Sequence, residues 1–390
     1  MNLHEFQAKA LLAARGVPIP AGQVAWTADE AARIARELGG SRFAVKAQIL
    51  AGGRGEAGGV KLADSPDAVR QVAAGMLGSK LVTAQTAAAG RSVRRVYVEQ
   101  AVACQREIYV GVLVDRNAGR IVLIGAREGG EEVEALMKRE PGALHRLAIE
   151  GTAAPDAAAL RGFAEALGFG GALAEEATRL LAALVAAFVE LDLSLLEINP
   201  LCVSAEGRLM ALDVKMAVDD NALFRQPELQ VLRDEDEIDE QELEAQRHDL
   251  NFVRMDGDIG VVVNGAGLAL ATHDILRDSG GAPANFMDIR TTAMSQQIAK
   301  GIGLLLTDPR VKVILVNVHG GGMTSCDTVV DAIQIALRWS GRKVPIVFRA
   351  AGQNADHALW AMADRRIPHE VAGSISVAVT RAIDIAKRGG

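Results

Sequence analysis

Three apolar runs, each emptying into glycines, set the strongest limit on how the second half of this chain can fold. Ile259–Val263 leads into Asn264-Gly265-Ala266-Gly267, Val311–Val318 into His319-Gly320-Gly321-Gly322, and Val344–Arg349 into Gly352-Gln353-Asn354. Apolar runs without polar alternation suit strands buried on both faces, which belong to parallel sheets covered by helices. Helical periodicity follows each loop, from Leu268, from about Ser325 and beyond Asn354. The expectation is a doubly wound parallel α/β sheet, with small ligands beyond the carboxyl ends of its strands, where helix N-termini favour anions.

The first half has another style. Val45–Leu62 reads as two short strands joined by a loop carrying Gly52, Gly53, Gly55, Gly58 and Gly59. Glycines let backbone N–H groups approach an anion, and Lys46, Arg54 and Lys61 add positive charge, which suits a polyphosphate. The stretch is neither a P-loop nor a G-x-G-x-x-G dinucleotide fingerprint, and an ordinary glycine-rich hairpin remains open at this point. Around it the pattern gives a helix from His4 to Leu12 and a Thr27/Glu30 capping box opening a second helix to Leu38. A third helix runs from Ser65 to Met76, and a strand from Val93 to Gln100. Paired strands are expected at Glu107–Asp115 and Ile121–Ala126, and helices from Pro155 to Val189. Two later strands, Leu195–Leu201 and Leu209–Lys215, each deliver one oxygen donor, Asn199 and Asp213, a pairing suited to Mg2+ held jointly with phosphates. Taken singly, Asn199-Pro200 reads equally as a turn and Asp213 as a surface charge.

At 390 residues the chain exceeds one ordinary core. The dense acidic run Asp234–Glu240 marks a change of style, so residues 1–225 and 246–390 are read as two domains and 226–245 as a solvated acidic linker. A net charge of −7 argues against a nucleic-acid-binding face. The start does not read as a signal peptide, and charges stop the apolar stretch Leu180–Val189 before it could span a membrane. Three widely spaced cysteines, Cys104, Cys202 and Cys326, point to a reducing compartment. The expected location is the cytoplasm.

Almost from end to end the chain resembles the succinyl-CoA synthetase β-subunit family and its malate–CoA ligase relatives. The resemblance rests on M-N-L-H-E-F-Q-A-K at Met1, V-K-A-Q-I-L-A-G-G-R-G-E-A-G-G-V-K at Val45 and K-L-V-T-A-Q-T at Lys80. It continues through L-E-I-N-P-L at Leu196, D-N-A-L-F-R-Q-P at Asp220, V-N-G-A-G-L-A at Val263 and P-A-N-F-M-D at Pro283. It implies an N-terminal ATP-grasp domain and a C-terminal flavodoxin-like CoA-ligase domain. It further implies a partner α subunit that holds CoA and the phosphorylated histidine, in an αβ or α2β2 assembly. ATP or GTP would drive joining of a small carboxylic acid to CoA. The resemblance places Lys46, Gly53, Arg54, Gly55, Glu99, Val102 and Glu107 at the nucleotide, Val102 through its backbone. Asn199 and Asp213 fall at Mg2+, Glu197 beside the phosphohistidine as the catalytic acid, and Asn264 with Gly320, Gly321 and Gly322 in the acid-binding loops.

Two stretches depart from the family pattern. Where three glycines, Ala and Thr are usual after Asn285–Ile289, this chain has Arg290-Thr291-Thr292-Ala293-Met294. The Val318–Asp327 loop is one residue longer and carries Ser325 where an Arg is usual. Arg290 offers an anion-binding fork close to the lost one, so a short dianionic acid (succinate, malate or sulfoacetate in type) is expected. His319 is a minor candidate for substrate contact. The alternative is a non-catalytic or regulatory paralogue retaining nucleotide binding and α pairing. A citrate-cleaving relative would need a lyase module that these residues do not contain.

Overall fold

The computed structural model describes residues 1–86, 89–130, 133–140, 142–152 and 155–389. They form two compact units, Met1–Glu237 and Ile238–Gly390.

The first unit is built on two antiparallel sheets with separate apolar cores. Helix α1 (Glu5–Ala13) buries Ala8 and Leu12, and with them, on the same face, the charged pair Glu5 and Lys9. Strand β1 (Gly22–Ala25) precedes α2 (Ala28–Leu38), which the Thr27/Glu30 capping box opens as expected. Strands β2 (Phe43–Ala47) and β3 (Val60–Ala63) form the expected hairpin, with Lys46 opposite Val60, and α3 (Pro66–Met76) follows, capped by Ser65. With β4 (Val96–Gln100) these strands make the smaller sheet, in the order β1-β4-β2-β3. Phe43, Val45, Val96 and Val98 fill its core against Ile34, Val69 and Ala73 of the helices.

The larger sheet begins with β5 (Cys104–Asp115), β6 (Arg120–Ala126) and β7 (His145–Ile149). Helices α4 (Ala157–Ala166) and α5 (Gly171–Glu190) come next, then β8 (Leu193–Ser204), β9 (Leu209–Ala211) and β10 (Val214–Val218). Its core packs Ile108, Val110, Leu196 and Ile198 under Leu181, Leu184 and Phe188. Among the described residues no helix is long and apolar enough to cross a membrane.

Three sequence expectations change here. The single strand expected over Leu209–Lys215 is broken at Leu212–Asp213. There Leu212 N–H donates to Pro200 O at 3.1 Å and the Asp213 carbonyl accepts from Asn199 N–H at 3.1 Å. Cys104 and Cys202, read as unpaired thiols, are joined by a disulfide between the adjacent strands β5 and β8, although 98 residues separate them in sequence. The acidic run is not simply solvated either. Asp234 is largely buried, 2.7 Å from His4 Nε2 and paired with Arg95, while Asp236 pairs with Arg94.

In the second unit, α6 (Glu240–Arg247) is capped by Asp239, and β11 (Asn251–Arg254) follows. Strand β12 (Ile259–Asn264) leads to α7 (Ala266–Asp278), β13 (Asn285–Ile289) to α8 (Ser295–Thr307), and β14 (Val313–Gly320) to α9 (Cys326–Ser340). Strand β15 (Ile346–Gly352), α10 (Ala355–Asp364), β16 (Glu370–Val371) and α11 (Ile375–Arg388) complete it. The sheet runs β11-β13-β12-β14-β15-β16, parallel except for β11. Counted from β12, the parallel strands lie in the order 2-1-3-4-5, the flavodoxin-like doubly wound arrangement. Helices α7 and α11 cover one face; α8, α9 and α10 cover the other. At its carboxyl edge Gly352 has φ +79°, and a Cβ built there would lie 2.1 Å from the Gly320 carbonyl oxygen. Gly352→Ala combines left-handed strain with that clash and is expected to cost about 2 kcal/mol or more, read from the urea midpoint of the full chain.

Candidate active site

A cleft of about 460 Å³ opens between the two sheets of the first unit. Lys46, Gly53, Arg54, Gly55, Glu99, Val102, Glu107, Glu197, Asn199 and Asp213 all line it. The structure therefore brings together all the first-unit residues that the resemblance placed at the nucleotide, the metal or the phosphohistidine. The hairpin explains part of this. Side chains alternate along a strand, so Val60 and Leu62 face the cleft while Lys61 between them is exposed and lines none of it. Lys61 is thus not the third cation expected from the sequence. Gly53, at φ +71°, turns the chain so that Arg54 points inward and is buried.

The floor of the cleft is a closed ring of charge. Glu5 Oε1 accepts from Lys46 Nζ at 2.9 Å and lies 3.0 Å from Lys9 Nζ. Glu99 meets the same two ammonium groups, Lys46 at 2.7 Å and Lys9 at 2.5 Å. Arg54 Nη2 lies 2.7 Å from both Glu5 Oε2 and Asp213 Oδ1, and its Nη1 donates to Ala47 O at 2.9 Å. Lys46 also donates to Leu212 O at 2.5 Å. Three cations thus meet three carboxylates, and the cluster is neutral. For Glu5, Lys46 and Arg54, burial would strip the charge, and the neighbours outweigh it. Burial opposes ionisation of Glu5, but Lys46, Lys9 and Arg54 hold its carboxyl well below the usual range. Burial likewise disfavours the Lys46 ammonium, which Glu5, Glu99 and Asp213 hold far above the ordinary lysine value; Asp213 and Glu5 do the same for Arg54.

On the larger sheet, Glu197 and Asn199 lie on β8, and Asp213 in the break between β9 and β10. Asn199 Oδ1 accepts from Gly130 N–H at 2.7 Å. Asn199 and Asp213 present hard oxygen donors from backbone segments hydrogen-bonded to one another, a donor set that fits Mg2+ completed by phosphate oxygens. Val102 lies on the segment between β4 and β5, and Glu107 on β5.

The second unit gathers the other expected residues along its carboxyl edge. Asn264 ends β12, and its side chain makes two hydrogen bonds to the backbone of His319. Its Nδ2 donates to His319 O at 2.8 Å, and His319 N–H donates to its Oδ1 at 2.8 Å. The register pairs Asn264 with Ile289, so Arg290 begins one residue beyond it. Arg290 is exposed and reaches Asn251 Oδ1 at 3.4 Å. Gly320 leaves no room for a Cβ, which would fall 2.2 Å from Gln353 O, while Gly321 and Gly322 are exposed. Ser325 donates to Asp327 and accepts from Asn354 Nδ2 at 3.0 Å.

Comparison with known proteins gives this geometry a family. The ATP-grasp domain family matches residues 2–203, and the CoA-ligase family residues 262–377. The succinate–CoA ligase [ADP-forming] β subunit of Acidiphilium cryptum (strain JF-5) is 46% identical over 370 residues, 91% of each chain. That of Tolumonas auensis (strain DSM 9187 / NBRC 110442 / TA 4) is 41% identical over 387 residues, 99% of each chain. The chain belongs to the succinate–CoA ligase β-subunit family. Its fold also matches a chain of the ATP citrate lyase of Methanothrix soehngenii, solved with citrate and coenzyme A. That match has a TM-score of 0.77 and covers 98% of this chain and 99% of the other, but at 18% identity the likeness is one of fold.

Within this family architecture, the residues that sequence reasoning missed are Glu5 and Lys9. Their i,i+4 spacing is that of an ordinary surface pair. The available signal was their position on the helical face that also carries Ala8 and Leu12. Glu5 has a consequence for acid stability. Its pKa is depressed from an ordinary value of 4.5, so its stabilisation is complete above that pH and is lost as pH falls through the folded value. Glu5→Gln is expected to flatten the fall in stability between about pH 5 and pH 3, as measured by denaturant melts across that range. An acid limb as steep as that of the unmodified chain would contradict this.

Proposed function

We propose that this chain is the nucleotide-handling β subunit of an ADP-forming acid–CoA ligase. The observation that carries the reading is the assembly of Lys46, Arg54, Glu99, Glu197, Asn199 and Asp213 around one cleft. In phosphoryl transfer a protein mainly positions groups and offsets developing charge. Lys46 and Arg54 would grip the phosphates, while N–H groups around Gly53 and Gly55 approach them. Segment 99–107, with Glu99, Val102 and Glu107, would hold the nucleoside. Asn199 and Asp213 would hold Mg2+, which when bound neutralises phosphate charge. A histidine on the partner α subunit, steadied by Glu197, would attack the terminal phosphorus and release ADP. The carboxylate substrate would then take the phosphoryl group from histidine to form an acyl phosphate. Attack by the CoA thiol would expel phosphate and leave the thioester.

The acid would sit at the carboxyl edge of the second unit, near Asn264 and Gly320–Gly322. Arg290 there adds a forked cation, which supports a compact dianion of the succinate, malate or sulfoacetate type as substrate. The relatives named for succinate favour a dicarboxylate within that class.

Co-expression with an α subunit should give ADP release that depends on both CoA and acid. Lys46→Ala and Asp213→Asn should each lower it by about 100-fold or more. An assembled complex that binds nucleotide but turns over no acid would favour the paralogue reading, to which the altered Arg290 and Ser325 loops otherwise lend support. Arg290→Gly is expected to reorder kcat/KM across a panel of mono- and dianionic acids; an unchanged ranking would remove Arg290 from substrate recognition.

A further inference from the structure

We propose that Glu5 is a resident counter-ion of the phosphate site, which an incoming polyphosphate displaces from Lys46 and Arg54. The proposal rests on the nucleotide reading of the cleft. Glu5 lines the cleft, is 4% exposed, and engages both phosphate-site cations through different oxygens, Lys46 at 2.9 Å and Arg54 at 2.7 Å. Those are the positions that phosphate oxygens would take. Lys9 makes the exchange possible. It is fully buried, does not line the cleft, and touches Glu5 at 3.0 Å and Glu99 at 2.5 Å. When phosphates draw Lys46 and Arg54 away, Lys9 still lies between Glu5 and Glu99, so the two carboxylates share one buried cation and half of their charge stays offset. Glu5 thus lowers the affinity for polyphosphate, and Lys9 limits the cost of displacing Glu5. Both act through Lys46 and Arg54 and are positioning residues.

The test is calorimetric titration of the full chain with ADP, tripolyphosphate and adenosine at fixed Mg2+ and salt, beside melting curves. Glu5→Gln is expected to bind ADP and tripolyphosphate about tenfold more tightly, the size of one close charge term in a partly screened cleft. Lys9→Met is expected to bind both about tenfold more weakly. Adenosine affinity should stay unchanged in both variants, a split that general loss of structure would not produce. If Glu5→Gln does not fold, Lys9→Met decides alone, and the charge-balanced Glu5→Gln/Lys9→Met protein should return to the affinity of the unmodified chain. Equal ADP affinity in Glu5→Gln and the unmodified chain, or parallel changes for adenosine, would overturn the proposal. An unmodified chain that binds no ADP would instead sink the nucleotide reading, and this inference with it.

Discussion

Lys9, buried between Glu5 and Glu99, ties helix α1 to the smaller sheet of the first unit. Helix α1 belongs to the core of the larger sheet, whereas Glu99 and Lys46 stand on the smaller one. The two sheets keep separate apolar cores, and charged contacts join them across the cleft: Lys9 to Glu99, Lys46 to Glu5 and Leu212, Arg54 to Asp213. Such a junction is costly to desolvate and stable only while every charge is matched. It is also responsive, because a ligand carrying its own charges can exchange partners with it. A hydrophobic seam between the sheets would offer no such exchange.

The second unit uses a different device. Its parallel strands end together, and tight backbone approaches at Gly320 and Gly352 shape the edge. Asn264 makes two hydrogen bonds to the backbone of His319, tying the end of β12 to that of β14. The exposed Arg290 and the Ser325–Asp327–Asn354 group stand along the same carboxyl edge.

How much of this was legible from the sequence follows from how local each feature is. The βα repeats and the Val45–Leu62 hairpin were readable because glycine positions and side-chain periodicity are written within a few residues. Lys61 was misassigned only because alternation along β3 was not applied to it. Glu5 and Lys9 were not readable as site residues. Their burial depends on Glu99, some ninety positions later, and on an interior that a single helix pattern cannot reveal. The same distance hid Cys104 from Cys202, and the break at Leu212–Asp213 depends on backbone pairing with Asn199 and Pro200.

The most direct test of this account is a crystal structure of the full chain with ADP and Mg2+. The account predicts phosphate oxygens in contact with Lys46 Nζ and Arg54, Asp213 turned from Arg54 to the metal, and Glu5 still paired with Lys9. Phosphates bound elsewhere, with Lys46 still held by Glu5 and Glu99, would contradict it.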